Sequence, residues 1–213
     1  MLVKKMVLLE NFETNTYLVW DKETKSCVVI DPSNRGDFIY EEALRLGLKI
    51  KYIINTHGHG DHIGANRQLK ELTKAEICIH QNDAEMLLDP QKNLSAMFEF
   101  PITSPPADIL LNDGQQILFG NSSLKVIHTP GHSEGCICLL GDGKLFSGDT
   151  LFFESLGRTD LPFSNEATII HSINEKLLTL PQKTKVFPGH AGATTIRHER
   201  KHNPVSIYDT GKK

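Results

Sequence analysis

Apolar and polar positions along the first part of the chain alternate between short strand-like runs and helical spacing. Runs rich in β-branched and large apolar residues predict strands, and apolar residues three or four positions apart predict helices. The predicted strands cover residues 2–9, 16–20, 27–30, 51–54 and 77–79, and the predicted helices cover residues 37–46 and 63–72. Strands that alternate with helices are typical of an α/β fold.

An irregular segment interrupts this pattern in the middle of the chain. Residues 90–113 show no clear periodicity, and the prolines within residues 100–106 exclude an ordinary helix, so we expect a loop over one end of the fold. The later predicted strands cover residues 117–119, 124–127, 136–140, 144–146 and 185–187, with a helix over residues 166–178. Because no shift in composition marks a linker, we expect a single domain over residues 1–213.

Composition narrows the class of protein. The 213 residues are 39% hydrophobic and 23% charged, with a net charge of −3, which is typical of a soluble globular protein. Basic residues occur only in short clusters, so nucleic acid is not an expected partner. No apolar run approaches the roughly 18 residues of a spanning helix, and the N-terminus lacks a signal-peptide pattern. We expect a cytoplasmic protein without a membrane partner; the oligomeric state stays open.

The four cysteines show no Cys-x-x-Cys spacing. We therefore expect Cys27, Cys78, Cys136 and Cys138 to be reduced, mostly buried thiols. A strand would place Cys136 and Cys138 on one face, which leaves binding of a soft metal as an alternative to plain packing.

Residues 57–62 contain three histidines and an aspartate: His57, His59, Asp61 and His62. Imidazole and carboxylate groups are common zinc ligands, and the intervening glycines allow such a loop to turn its side chains toward one point. A polar surface loop with hydrogen-bonded histidines is the alternative. The motif predicts a metal site.

The same arrangement, a strand followed by Gly-His, recurs later in the chain. Strand-like runs that begin with lysine lead to His59, His132 and His190. Each histidine falls just after the carboxyl end of a predicted strand, where α/β proteins tend to build binding sites. Asp149, within Ser-Gly-Asp-Thr, is a further candidate ligand. The Asp-Pro-Ser-Asn sequence from Asp31, by contrast, predicts only a turn or a helix cap.

The ordered set His-x-His-x-Asp-His, followed by a later His, an Asp and a final His, resembles the metallo-β-lactamase superfamily over nearly the whole chain. This resemblance implies a four-layer αββα sandwich with two divalent metal ions at one edge between the sheets. Zinc is the expected metal, and iron or manganese also suits these ligands. The implied ligands are His57, His59 and His132 for the first metal, Asp61, His62 and His190 for the second, and Asp149 as a bridge.

The implied chemistry needs no serine or cysteine nucleophile. Two divalent cations exceed the negative charge of Asp61, Asp149 and a shared hydroxide, and the remaining positive charge can stabilise a developing oxyanion. Bound metals also lower the pKa of water toward about 7. Asp61 is expected to assist proton movement. Many members that cleave β-lactams have cysteine where Asp149 stands, so the aspartate argues against that activity.

Further motifs are similar to those of the glyoxalase II group, the hydroxyacylglutathione hydrolases, in their short bacterial form. They lie at residues 148–152, 157–162, 199–200 and 203–204. The resemblance implies hydrolysis of S-lactoylglutathione or a similar small acyl thioester. Arg158 would pair with a substrate carboxylate; a structural salt bridge is its alternative. Full-length glyoxalase II carries a C-terminal helical domain, for which this chain leaves no room after His190, so glutathione recognition stays open.

Other functions fit the same residues. The motifs are also similar to persulfide dioxygenases, which would hold one iron through His57, His132 and Asp149. Hydrolysis of a lactone or a phosphodiester, and a non-enzymatic domain stabilised by metal, are further alternatives. His128, close to the turn before His132, is a candidate to orient a ligand from behind.

Overall fold

The computed structural model describes residues 1–9 and 11–207. Its first sheet contains six strands in chain order. They are β1 (Leu2–Leu9), β2 (Thr14–Trp20), β3 (Ser26–Ile30), β4 (Lys49–Ile54), β5 (Glu76–His80) and β6 (Ile109–Leu111). Strands β1 to β3 pair antiparallel, whereas β3 to β6 run parallel, so the carboxyl ends of β3, β4 and β5 lie at one edge.

The second sheet is built from the later strands, together with a short hairpin outside it. These strands are β7 (Gln116–Phe119), β8 (Ser122–His128), β9 (Ile137–Gly141), β10 (Lys144–Gly148), the hairpin β11 (Leu151–Phe152) and β12 (Ser155–Leu156), β13 (Lys185–Pro188) and β14 (Thr194–Thr195). The order across the sheet is β14-β13-β10-β9-β8-β7. Strand β13 is parallel to β10, so both end at the same edge.

Helices cover the outer faces of both sheets. They are α1 (Gly36–Arg45), α2 (Gly60–Ile63), α3 (Asn66–Thr73), α4 (Glu166–Ser172) and α5 (Ile196–His202), with 3-10 turns at Gln81–Leu87 and Ser95–Met97. Helices α1 and α3 pack on the first sheet, and α4 and α5 pack on the second. Among the described residues, none of these helices has the length and apolar character needed to cross a membrane.

Three apolar cores separate four layers. Side chains alternate along each strand, so Leu18 of β2 packs toward α1 and α3, while Tyr17 and Val19 face the second sheet. On the far side of the second sheet, Ile169 and Ile196 join a third core. The predicted αββα sandwich is therefore confirmed. All four cysteines are buried and free, as expected from the sequence.

The predicted helix over residues 63–72 is wrong at its start. The chain forms the short α2, which ends at Ile63, and begins α3 only at Asn66. Between them the backbone N–H of Ala65 donates to the carbonyl oxygen of Pro32, at 2.9 Å. A tertiary hydrogen bond thus replaces the bond that would continue one helix.

The predicted helix over residues 166–178 is α-helical only as far as Ser172. Residues Ile173–Leu177 form a π-helix. The side chain of Asn174 donates to the carbonyl oxygen of Ile170, at 3.1 Å, which is the acceptor that an α-helical N–H of Asn174 would use. This insertion explains the wider turn.

Several elements escaped prediction because they are too short to show periodicity. They are β6, the β11–β12 hairpin, β14 and the two 3-10 turns. Helix α5 was missed because its basic residues resemble an exposed surface segment, although Ile196 and Glu199 are fully buried. Residues 100–106 form no helix, as predicted.

Candidate metal centre

Sheet register brings the predicted ligands to one edge. In the second sheet, Gly148 of β10 lies opposite Pro188 of β13, so Asp149 and His190 follow neighbouring strands. A single bridge pairs Thr14 with His190 and joins the two sheets at this edge. The loops after β4 and β8 carry residues 57–62 and His132 to the same place.

The structure brings all seven predicted ligands together. Their ligand atoms form overlapping groups in which all atoms lie within 4.8 Å of one another. These groups are His57-His59-His132, Asp61-His62-His190 and His57-His62-Asp149. The carboxylate of Asp149 lies 3.6 Å from Nε2 of His132 and 3.2 Å from Nε2 of His190. It therefore lies between two clusters that match the two sets expected from the sequence.

The distances between ring nitrogens fit metal ions. Nδ1 of His59 lies 3.0 Å from Nε2 of His132, and Nε2 of His62 lies 3.2 Å from Nε2 of His190. Two histidine ligands of a tetrahedral zinc ion would be about 3.3 Å apart, given bonds of about 2.0 Å. Nε2 of His57 is buried and has no hydrogen-bond partner among the described residues. Buried nitrogens without partners are rare, and a shared cation would satisfy these rings.

Backbone carbonyls orient two of the rings. Nδ1 of His132 donates to the carbonyl oxygen of Arg158, at 2.9 Å, and Nδ1 of His190 donates to that of Phe12, at 2.7 Å. A proton on Nδ1 leaves the Nε2 lone pair directed at the cluster. Such outer contacts fix the tautomer that a metal ligand needs.

Asp31 is a functional candidate that the sequence analysis missed. Its buried carboxylate lies 3.1 Å from Nδ1 of His62 and accepts hydrogen bonds from the backbone and the hydroxyl of Thr56, both at 2.7 Å. In the sheet, Ile30 lies opposite Ile54, which places Asp31 beside the start of the ligand loop. Its position directly after a predicted strand was the feature of the sequence that could have indicated a role at the site.

Asp83 joins the two ligand loops and was likewise missed. Its buried carboxylate accepts hydrogen bonds from the backbone of Gly58, at 3.1 Å, and from the hydroxyl of Ser133 and the backbone of Gly135, both at 2.6 Å. Burial raises the pKa of this carboxyl. Asp83 lies in a 3-10 turn without a recognisable motif, so only the folded chain shows this role.

Charge in the cluster is divided between neutral and ionised groups. Burial lowers the pKa of His59 to about 3 and keeps that ring neutral. Burial raises the pKa of Asp149, but His62 and His190 more than offset this and hold it well below its ordinary range. Burial lowers the pKa of His190, yet Asp149 and Asp61 raise it to about 10. A metal ion at the second cluster must displace this proton, so its affinity falls as the pH falls.

His128 does not orient a predicted ligand. Its ring stacks on His80, with centroids 4.0 Å apart and planes 10° apart, and its Nε2 lies 2.9 Å from the carbonyl oxygen of Glu134. The expectation that it supports the metal cluster is therefore wrong.

A cavity of about 530 Å³ opens over the cluster. Its walls combine predicted ligands with apolar residues of four chain segments: Phe12, Leu94, Met97, Phe98, Phe152, Leu161 and Pro162. Arg158 also lines the cavity, and its guanidinium makes two hydrogen bonds of 2.9 Å with the carboxylate of Asp160. Both interpretations of Arg158 from the sequence, substrate contact and salt bridge, are thus compatible with its position.

Gly189 leaves room for the bridging carboxylate. A Cβ at this position would lie 2.1 Å from Oδ1 of Asp149 and 2.9 Å from Cε1 of His62. We therefore expect Gly189→Ala to displace Asp149 and to lower metal affinity by about 10- to 100-fold, as loss of a supporting contact does elsewhere. Metal content after dialysis, measured by mass spectrometry, tests this.

Gly192→Ala is the matched control for Gly189→Ala. A Cβ at Gly192 meets no heavy atom of the described residues within 4 Å. Its metal content should equal that of the wild type. Equal metal retention by both variants would show that the close approach at Gly189 does not position Asp149.

Two facing sheets with a histidine–aspartate cluster at their shared edge define a metal-binding α/β sandwich. The model of the metallo-beta-lactamase superfamily matches residues 9–190. The chain belongs to the metallo-β-lactamase superfamily, whose members include metal-dependent hydrolases.

Curated relatives cover most of the chain. Probable metallo-hydrolase YqgX of Bacillus subtilis is 36% identical over 90% of this chain and 92% of its own. Hydroxyacylglutathione hydrolase GloC of Haemophilus influenzae is 34% identical over 91% of this chain and 92% of its own. Human mitochondrial persulfide dioxygenase ETHE1 is 33% identical over 90% of this chain and 70% of its own.

Solved structures show the same fold. BLEG-1 B3 metallo-beta-lactamase superposes with a TM-score of 0.90 at 35% identity, over 95% of this chain and 98% of that chain. TTHA1623 in a di-iron-bound form gives 0.81 at 34% identity, over 93% and 98%. ETHE1 from Myxococcus xanthus gives 0.81 at 30% identity, over 96% and 84%.

Proposed function

We propose that this protein is a metal-dependent hydrolase that cleaves S-lactoylglutathione or a similar small acyl thioester. The observation that carries the proposal is the presence of two complete ligand clusters with Asp149 between them. Two divalent ions, zinc first, would be held by His57, His59 and His132 and by Asp61, His62 and His190, with Asp149 shared. When bound, they polarise a carbonyl group and lower the pKa of water.

The chain's own groups support this chemistry in distinct ways. Oδ2 of Asp61 accepts a hydrogen bond from the hydroxyl of Thr14, at 3.1 Å, and lies 3.4 Å from Nε2 of both His62 and His190. A carboxylate held in this way can accept and return a proton beside the reacting group. Apolar side chains make up about half of the residues that line the cavity, so the substrate can also be held by apolar contacts.

The hydroxyacylglutathione hydrolase named among the relatives supports the thioester substrate. The persulfide dioxygenases, at 33% and 30% identity, favour a second candidate: oxidation of a persulfide with one iron held by His57, His132 and Asp149. The di-iron-bound structure shows that iron can occupy a related site, so the identity of the metal does not separate the two functions.

One assay on the purified protein separates these functions. Metals are quantified in the sample that is tested with S-lactoylglutathione, with glutathione persulfide under oxygen, and with a chromogenic β-lactam. We expect thiol release with close to two metals per chain. Oxygen consumption with one iron per chain would establish the dioxygenase, and β-lactam opening without thiol release would favour the activity named for BLEG-1.

Arg158 is proposed to bind an anionic group of the substrate. We expect Arg158→Ala to raise KM about two- to fivefold for an anionic thioester, because a contact between exposed charged groups contributes only modestly in water. KM for a neutral thioester should not change. Arg45→Ala is the control, because Arg45 makes a similar exposed pair with Glu42 on α1, away from the cavity. Equal effects on both substrates would remove Arg158 from the substrate site.

A further inference from the structure

Three phenylalanine rings line the cavity near His190. The rings of Phe12 and Phe98 lie 5.3 Å apart, and the ring of Phe152 stands edge-on to His190 at 6.0 Å. The three phenylalanines line the cavity and are called the aromatic wall below. Because the backbone oxygen of Phe12 accepts the hydrogen bond from Nδ1 of His190, the wall is attached directly to the metal cluster.

The aromatic wall is partly open to solvent, since Phe98 and Phe152 are half-buried and Phe12 is exposed. Phe12 is 45% exposed, and the neighbouring Met97, which also lines the cavity, is 88% exposed. Apolar side chains that gather around a cavity indicate a binding surface, because an isolated fold would bury them. A ligand that covers the wall removes this apolar area from water.

Groups that would recognise a highly charged ligand are few. Among the described lining residues, Arg158 is the only arginine or lysine, and Asp160 already pairs with it. The side-chain amide of Asn93 donates to the carbonyl oxygens of Met86 and Ile102, both at 3.0 Å. Away from the predicted metal ligands, a thioester of a tripeptide thiol with two carboxylates would meet one cationic side chain, that of Arg158. An apolar group would meet the three rings of the aromatic wall.

We propose that the preferred substrate is a thioester with an apolar arm, aliphatic or aromatic, that lies against the aromatic wall. This inference rests on the proposed thioesterase function and adds the class of substrate. Arg158, whose backbone oxygen contacts His132, would lie near the more polar end of the same substrate. The arm belongs to the acyl half or to the thiol half of the thioester. The aromatic wall would make the same apolar contacts with it in either case.

Two series of thioesters test this with the metal-loaded protein. In the first, acetyl, butyryl, hexanoyl and octanoyl groups are joined to N-acetylcysteamine; in the second, acetyl is joined to ethanethiol, butanethiol and hexanethiol. We expect kcat/KM to rise about two- to fourfold per added methylene in one series, the size of rise that burying a methylene gives. The series that shows the rise identifies the half that carries the arm.

Phe98→Ser should flatten this rise while the metal content stays unchanged. Phe100→Ser is the matched control, since Phe100 is two residues away and 78% exposed but does not line the cavity. Phe98→Leu should restore most of the rise, because leucine keeps an apolar surface. A purely structural role of Phe98 would instead lower kcat/KM equally for short and long chains.

The possible outcomes distinguish a failure of the apolar-arm inference from a failure of the proposed thioesterase function. Hydrolysis of S-lactoylglutathione with no rise in either series would overturn the apolar-arm inference and leave the thioesterase intact. An unchanged rise in Phe98→Ser would overturn the assignment to the aromatic wall. Failure to cleave any thioester would overturn the proposed function, and the inference with it.

Discussion

Replacement of Asp149 by alanine is expected to abolish hydrolysis and to release both metals. Its two carboxylate oxygens lie 3.2 to 3.6 Å from ring nitrogens of His62, His132 and His190, so one side chain serves both clusters. Its removal takes away the charge that balances two cations and the group that fixes their separation. We expect kcat/KM to fall by on the order of 10³-fold or more, beyond the loss of a single stabilising donor.

Metal content and thioesterase activity, measured on the same sample, check the effect of Asp149→Ala. Wild-type protein should retain close to two metals per chain and the variant fewer than one. Asp37→Ala serves as the control, because Asp37 is an exposed carboxylate of α1 that pairs with Arg35 and does not line the cavity. Retention of both metals with near-normal turnover in Asp149→Ala would refute the bridging role.

Asp31→Asn is expected to weaken the second metal selectively. Asparagine keeps the size of Asp31 and one oxygen to accept from Thr56, but it loses the negative charge beside Nδ1 of His62. Loss of such an outer partner typically costs 10- to 100-fold in metal affinity. We expect about this loss at the cluster of His62, with the cluster of His57 changed by less.

Stepwise competition with a chromogenic chelator resolves the two binding events. Asp21→Asn is the control for Asp31→Asn. Asp21 also follows a strand directly, is buried, and accepts hydrogen bonds from Thr24 and Ser122, at the end of β2 away from the bridge between Thr14 and His190. It should leave both metal affinities unchanged. Equal weakening of the two steps by Asp31→Asn would show a general effect on the fold instead of support for His62.

The core strands could be predicted because the apolar pattern of each strand lies within a few consecutive residues. The first strand was placed at Leu2–Leu9, as the structure has it, since a short run rich in large apolar residues needs no distant partner to be recognised. The break before Asn66 and the π-turn at Asn174 could not be predicted. Each is accompanied by a hydrogen bond between residues far apart in the chain, from Ala65 to Pro32 and from the side chain of Asn174 to Val205.

The sequence by itself determined the chemistry of the candidate site. Histidines and aspartates spaced by glycines specify a cation site wherever they meet, because their donor atoms are a property of the residues. Only the tertiary structure decided that these histidines and aspartates lie together. It also decided that Asp31 supports His62 and that Phe12 contacts Phe98. These contacts join residues far apart in the chain, and their distances depend on how two sheets pair and pack, which no local pattern encodes.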